Sequence, residues 1–92
     1  MDTPSNTEKL IKFPCLFPIK IMGNNHIDLV PQIIAIISRH TLQFNPQDDI
    51  VTRLSKQGNY LSVTATIMAT SQEQLDEIYT ELNKHELVKM TL

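Results

Sequence analysis

The amino-acid sequence predicts an α+β fold, a four-stranded antiparallel sheet with two helices on one face, on three observations. Leu61, Val63, Ala65, Ile67 and Ala69 alternate with Tyr60, Ser62, Thr64, Thr66 and Met68, giving a strand one apolar face and one mostly hydroxyl-bearing face. Leu29, Val30, Ile33, Ile34, Ile36 and Ile37 recur with the helical period and cover a stripe roughly 160° wide. Ser71-Gln72-Glu73-Gln74 has the form of a capping box and opens a second amphipathic segment.

Taken in order, residues 1–9 are polar, contain Pro4 and follow neither period. They are expected to form a disordered or loosely docked tail ahead of one domain spanning residues 10–92, with Leu10, Ile11 and Phe13 pinning its end. Pro14 and Pro18 remove backbone donors from the next stretch, so the first strand is expected to begin near Phe17. Phe17, Ile19 and Ile21 alternate with Pro18, Lys20 and Met22 until Gly23-Asn24-Asn25 breaks the pattern. The first helix then runs from Asp28 to about His40. Pro31 fits its first turn, where a missing N–H has no intrahelical partner, and this makes Asp28 the N-cap. Arg39 and His40 fall in the last turn, where the helix dipole favours cations.

Thr41 to Asp49, with Asn45-Pro46 and Asp48-Asp49, reads as a loop, and a second strand follows from Ile50 to Lys56. A two-residue hairpin at Gln57-Gly58 sets Leu54 opposite Leu61 and Arg53 opposite Ser62, so that apolar residues of both strands share a face. Beyond Ser71 the second helix buries Leu75, Ile78, Tyr79 and Leu82 and turns Glu73, Asp76, Glu77 and Glu81 to solvent. Asn83-Lys84-His85 ends it. Glu86 to Leu92 is the last strand, with Val88, Met90 and Leu92 on one side and Leu87, Lys89 and Thr91 on the other. The order strand, helix, strand, strand, helix, strand is the ferredoxin-like βαββαβ sandwich, in which right-handed crossovers place both helices on one face and the first and third strands in the middle.

Composition narrows the function classes. A chain of 92 residues supports one core, and its formal net charge of −2 argues against binding nucleic acid by phosphate neutralisation. The single Cys15 makes no internal disulfide and no zinc site, which points to a reducing, cytoplasmic home. The N-terminal stretch lacks the apolar run of a signal peptide, and the longest aliphatic run, Ile33 to Ile37, is far short of a membrane span.

Three motifs carry a family resemblance: F-P-x-x-F-P-x-K-x-M-G at Phe13 to Gly23, G-N-Y-x-S-V-T at Gly58 to Thr64, and Y-x-x-L with a terminal V-K-M-x-L between Tyr79 and Leu92. Together they resemble the YbeD-like family of small bacterial cytoplasmic proteins, over about residues 10–92. The resemblance implies a ferredoxin-like fold similar to the ACT-type regulatory domains that bind small effectors. Pro31, where an ordinary helix former is expected, and Gln57, where a basic residue is common, depart from the family pattern.

Two sites are expected. By the resemblance to ACT-like domains, Gly23, Asn24, Asn25 and His26, between the first strand and the first helix, form the candidate ligand-binding loop. The open sheet face is expected to present Lys20, Arg53, Ser62, Thr64, Thr66 and Lys89, with Met22, Tyr60 and Met68 at its margins, as an interface for a partner protein or a second copy forming a homodimer. An RNA-binding reading is weaker, because Tyr60 is the only outward aromatic of the third strand. No metal or cofactor is expected, since His26, His40 and His85 are scattered without ligand spacing. Acylphosphatase-type chemistry needs an arginine in the first strand-to-helix loop, which has none. The expectation is therefore a non-enzymatic regulatory or adaptor module that binds a small effector or a partner protein.

Overall fold

The apolar rows find one another across a single sheet. The computed structural model describes residues 11–92, in which the elements are β1 (Cys15–Asn24), α1 (Leu29–Ser38), α2 (Pro46–Asp49), β2 (Ile50–Leu54), β3 (Tyr60–Ala69), α3 (Gln72–Lys84) and β4 (Val88–Thr91). The strands are antiparallel in the order β2-β3-β1-β4, so β1 and β3 are central, as the ferredoxin-like pattern requires. Ile19 and Ile21 of β1 and Val63, Ala65, Ile67 and Ala69 of β3 pack against Leu29, Ile33, Ile36 and Ile37 of α1 and Leu75, Ile78 and Leu82 of α3. The fully buried core therefore lies between the central strands and the two long helices. The expected polar tail, residues 1–9, and the pinning role of Leu10 lie outside the described residues. Phe13 packs against the core, whereas Ile11 is exposed.

β1 begins at Cys15, two residues earlier than expected, and contains Pro18. The reason lies in which edge each residue serves. Leu92 N donates to Lys20 O at 2.8 Å and Asn24 N to Leu87 O at 2.9 Å, so even-numbered residues of β1 aim their backbone groups toward β4. β4 pairs only with Ile21 to Gly23, and the missing N–H of Pro18 faces an edge that β4 does not reach. On its other edge, β1 pairs with β3 along its full length, from Cys15 opposite Ala69 to Asn24 opposite Tyr60.

The register of the hairpin is the expected one, with Arg53 opposite Ser62 and Leu54 opposite Leu61. Its loop is longer than two residues. Ser55 N donates to Tyr60 O, Ser55 Oγ accepts from Tyr60 N, and Gly58 takes φ 79° at the turn. Both closures keep the same residue pairs in line, which is why the strand faces are unaffected.

Three further expectations are corrected. Pro46–Asp49 is a helical turn rather than plain loop: Asn45 Oδ1 accepts from Gln47 N, Asp49 Oδ2 accepts from Asn45 N, and Pro46 lies at the start of the helix. α1 stops at Ser38, with Arg39 as its C-cap, and Asp28 occupies the N-cap position without a side-chain capping bond. In β4 the pairing jumps from Met22–Met90 to Gly23–Val88, a bulge that leaves Lys89 unpaired. Met90 therefore joins Met22 on the open face. Val88 packs toward the core, and Thr91 Oγ1 donates to Asn83 Oδ1 of α3, so Val88 and Met90 do not share a side.

Candidate functional site

The expected ligand loop is built from hydrogen bonds internal to the fold. His26 N donates to Asn24 O at 2.8 Å, Asp28 N to His26 Nδ1 at 3.0 Å and Leu29 N to His26 O at 3.0 Å. Asn25 N donates to Asn59 O and Asn25 Nδ2 to Gly58 O at 2.9 Å, which fastens this loop to the hairpin 33 residues away. Gly23 is explained by packing. A Cβ there would lie 2.5 Å from Leu87 O and 2.7 Å from Leu29 Cδ1, so the lack of a side chain lets the Leu87 backbone and the first residue of α1 approach closely. The imidazole of His26 accepts the N–H of the N-cap residue itself, and the Asp28 side chain caps none of the helix N–H groups.

The open sheet face gathers most of the second expected set. Pair registers give its cross-strand rows: Met90, Met22, Ser62 and Arg53 form one, Lys20, Thr64 and Val51 the next, then Pro18 with Thr66 and Leu16 with Met68. Tyr60 closes the end beside Asn24. Lys20, Val51, Thr52, Arg53, Ser62 and Thr64 line a depression of about 300 Å³. Sequence reasoning missed Leu16, Val51 and Met90, which are 68%, 67% and 48% exposed on this face. The alternation signal was present for Leu16 and Val51, because each follows the outward parity of its strand. The bulge that turns Met90 outward had no such signal. Lys89 is the bulge residue itself and is exposed.

A third cluster lies between the helices. Glu81 of α3 was assigned to the solvated face, yet it pairs with Arg39 and with His40 Nε2 at the end of α1. His40 Nδ1 lies 3.5 Å from Glu77 Oε1. Hydrogen bonds from Arg39 first and His40 second, with their positive charge, hold the Glu81 carboxyl below its ordinary range. Gln74 adds a second tie: its Oε1 accepts from Thr70 N at 2.8 Å and its Nε2 donates to His40 O at 2.7 Å. His85 Nδ1 accepts from Leu87 N at 3.2 Å, so all three histidines, scattered in the sequence, are fastened into the fold. Tyr79 OH donates to Leu92 O at 3.0 Å, and partial burial pushes its phenol up. Cys15 is partly buried against the core.

Among the described residues no group of three or more His, Cys, Asp or Glu side chains is arranged to hold a metal ion. No described helix is long and apolar enough to cross a membrane.

Comparison with known proteins bears out the family resemblance read from the motifs. The model of a family described as "Protein of unknown function (DUF493)" matches residues 8–92. A UPF0250 protein of Janthinobacterium sp. (strain Marseille) is 48% identical over 86 residues, covering 94% of this chain and 93% of the relative. A UPF0250 protein of Paraburkholderia phytofirmans is 44% identical over 91 residues, covering 96% and 98%. The solution structure of protein HP0495 from H. pylori superposes with a TM-score of 0.76 at 17% identity, over 100% of this chain and 97% of that one, and shows the same fold.

Proposed function

This chain belongs to the DUF493 family of small bacterial proteins, and from that premise we propose that it is a non-enzymatic regulatory or adaptor module whose open sheet face docks a partner protein. One observation carries the reading. Among the described residues no helix covers this face, yet it holds Leu16, Met22, Val51, Tyr60 and Met90 exposed beside Lys20, Arg53 and a row of hydroxyls. A face that only meets water has no need of so much apolar area, whereas an interface does.

The alternative of an ACT-like effector site at Gly23 to His26 has less to offer a ligand, because the backbone N–H groups of Asn24, Asn25, His26, Asp28 and Leu29 are all used within the fold. The non-enzymatic part of the reading draws on the same kind of use. His26 and His85 accept backbone N–H groups through Nδ1, and His40 is held between carboxylates.

The test is capture of partners from native cells by the wild-type chain and by a Thr64→Trp/Thr66→Trp variant. Both positions lie mid-strand on the open face, and tryptophan suits a strand while adding bulk without charge. A specific protein retained by the wild type and lost from the folded variant is expected. Capture that is unchanged, with circular dichroism showing both chains folded, rejects this face.

A further inference from the structure

The open sheet face also separates the chain's charges. Lys20 and Arg53 stand on it and share one depression. None of the four strands carries an aspartate or glutamate, and the described ones belong to other segments: Asp28 before α1, Asp48 and Asp49 in α2, Glu73, Asp76, Glu77 and Glu81 on α3, and Glu86 before β4. A chain of formal net charge −2 thus builds the strands of this face without an aspartate or glutamate while presenting two cations on it.

The geometry points to an acidic segment of a partner protein as the occupant of this face, an inference that rests on the docking role proposed above. Lys20 and Arg53 flank β3 in neighbouring rows, Lys20 opposite Thr64 and Arg53 opposite Ser62. Two strand spacings across and two residues along put their Cα atoms about 12 Å apart, roughly the separation of residues four apart on an extended segment. Such a segment lays two carboxylates on the two cations. Ser62 and Thr64 offer hydroxyls between them, and the Met22–Met90 pair adjoins the site for its apolar side chains.

Two other occupants fit less well. A second copy packed sheet to sheet about a two-fold axis brings this face against itself, adding a second pair of cations with no aspartate or glutamate of the described strands to offset them. A nucleic acid finds two cations and no aromatic at Lys20, Met22, Ser62 or Thr64, where binders of this architecture stack bases on the central strands.

The experiment titrates the isotope-labelled full chain with a polyglutamate peptide of about a dozen residues, and separately with polylysine, oligouridylate and inorganic phosphate, following backbone amides by NMR. Polyglutamate is expected to give saturable shifts at Lys20, Arg53, Ser62 and Thr64, weakened at least about tenfold by Lys20→Gln/Arg53→Gln and by raised salt. Polylysine is expected to leave these amides in place. The proposal is overturned by shifts confined to α3, by no shift, by phosphate or oligouridylate binding the same residues as tightly as polyglutamate, or by self-association that Lys20→Gln/Arg53→Gln abolishes. Loss of native-partner capture in Thr64→Trp/Thr66→Trp but not in Lys20→Gln/Arg53→Gln overturns the acidic occupant alone and leaves the docking face standing.

Discussion

Gly23→Ala is expected to be among the most damaging single-methyl additions to this fold. The new Cβ meets Leu87 O at 2.5 Å and Leu29 Cδ1 at 2.7 Å. Leu87 O is a backbone atom held by the hydrogen bond from Asn24 N at 2.9 Å, and Leu29 is fully buried, so neither has free space to retreat into. Relief requires β4 to draw away from β1 at its bulge. Overpacking of this kind costs about 1–3 kcal/mol, and the weakened backbone bond adds about 1 kcal/mol. A total near 3 kcal/mol lowers Tm by roughly 10–25 °C in a domain of this size. Urea unfolding followed by circular dichroism measures it directly. Gly58→Ala is the control. Nothing lies within 4 Å of a Cβ there, and its φ of 79° makes the penalty purely a backbone one of about 1–2 kcal/mol. Asparagine, which tolerates the left-handed region, is expected to recover much of the loss at position 58 and to worsen it at position 23. A Gly23→Ala loss below about 0.5 kcal/mol refutes the packing account and reopens the loop as a place where glycine serves a ligand.

Three further outcomes follow from the core, the helix caps and the interhelical cluster. Ile78→Ala, at a position with no exposed surface, is expected to cost about 2–5 kcal/mol by chemical denaturation, whereas Val51→Ala on the open face stays within about 0.5 kcal/mol. Ser71→Ala removes the acceptor 3.0 Å from Gln74 N and is expected to destabilise the chain by about 1 kcal/mol on the same assay. Glu81 has a folded pKa below its unfolded one, so its contribution is present above the ordinary carboxylate range and is lost as pH falls through the folded value. The stability gap between wild type and Glu81→Gln should therefore narrow on acidification through that window, and a gap independent of pH would show that the carboxylate does not act through Arg39 and His40.

The candidate surface was more legible than the candidate loop. Parity along three strands placed Lys20, Arg53, Ser62, Thr64 and Thr66 on one face, and the pair registers agree because shifting any of the strands by one residue would bury its part of that polar row. For Gly23 to His26 the sequence showed a glycine and amides near a helix start, a pattern shared by ligand loops and by loops that hold a domain together. The contacts that Leu87, Asn59 and Gly58 make with this loop come from more than thirty residues further along the chain, beyond the reach of any local pattern. Glu81 was misplaced for the same reason: its partner Arg39 is 42 residues away, and helical period alone distinguishes apolar from polar faces, not one polar neighbour from another.

By itself the sequence determined the strand and helix order, the inward rows of β1 and β3, the capping box at Ser71 and Gln74, and hence the α+β sandwich, because these depend on contacts within a few residues or on strict periods. Only the tertiary structure decided that Pro18 sits harmlessly in a central strand, that Lys89 bulges and turns Met90 outward, and that Arg39 and His40 close on Glu81. Each of those depends on where another segment ends: β4 pairs no further along β1 than its last residues reach, and the two helices bring opposite charges together only once the shared core beneath them is packed.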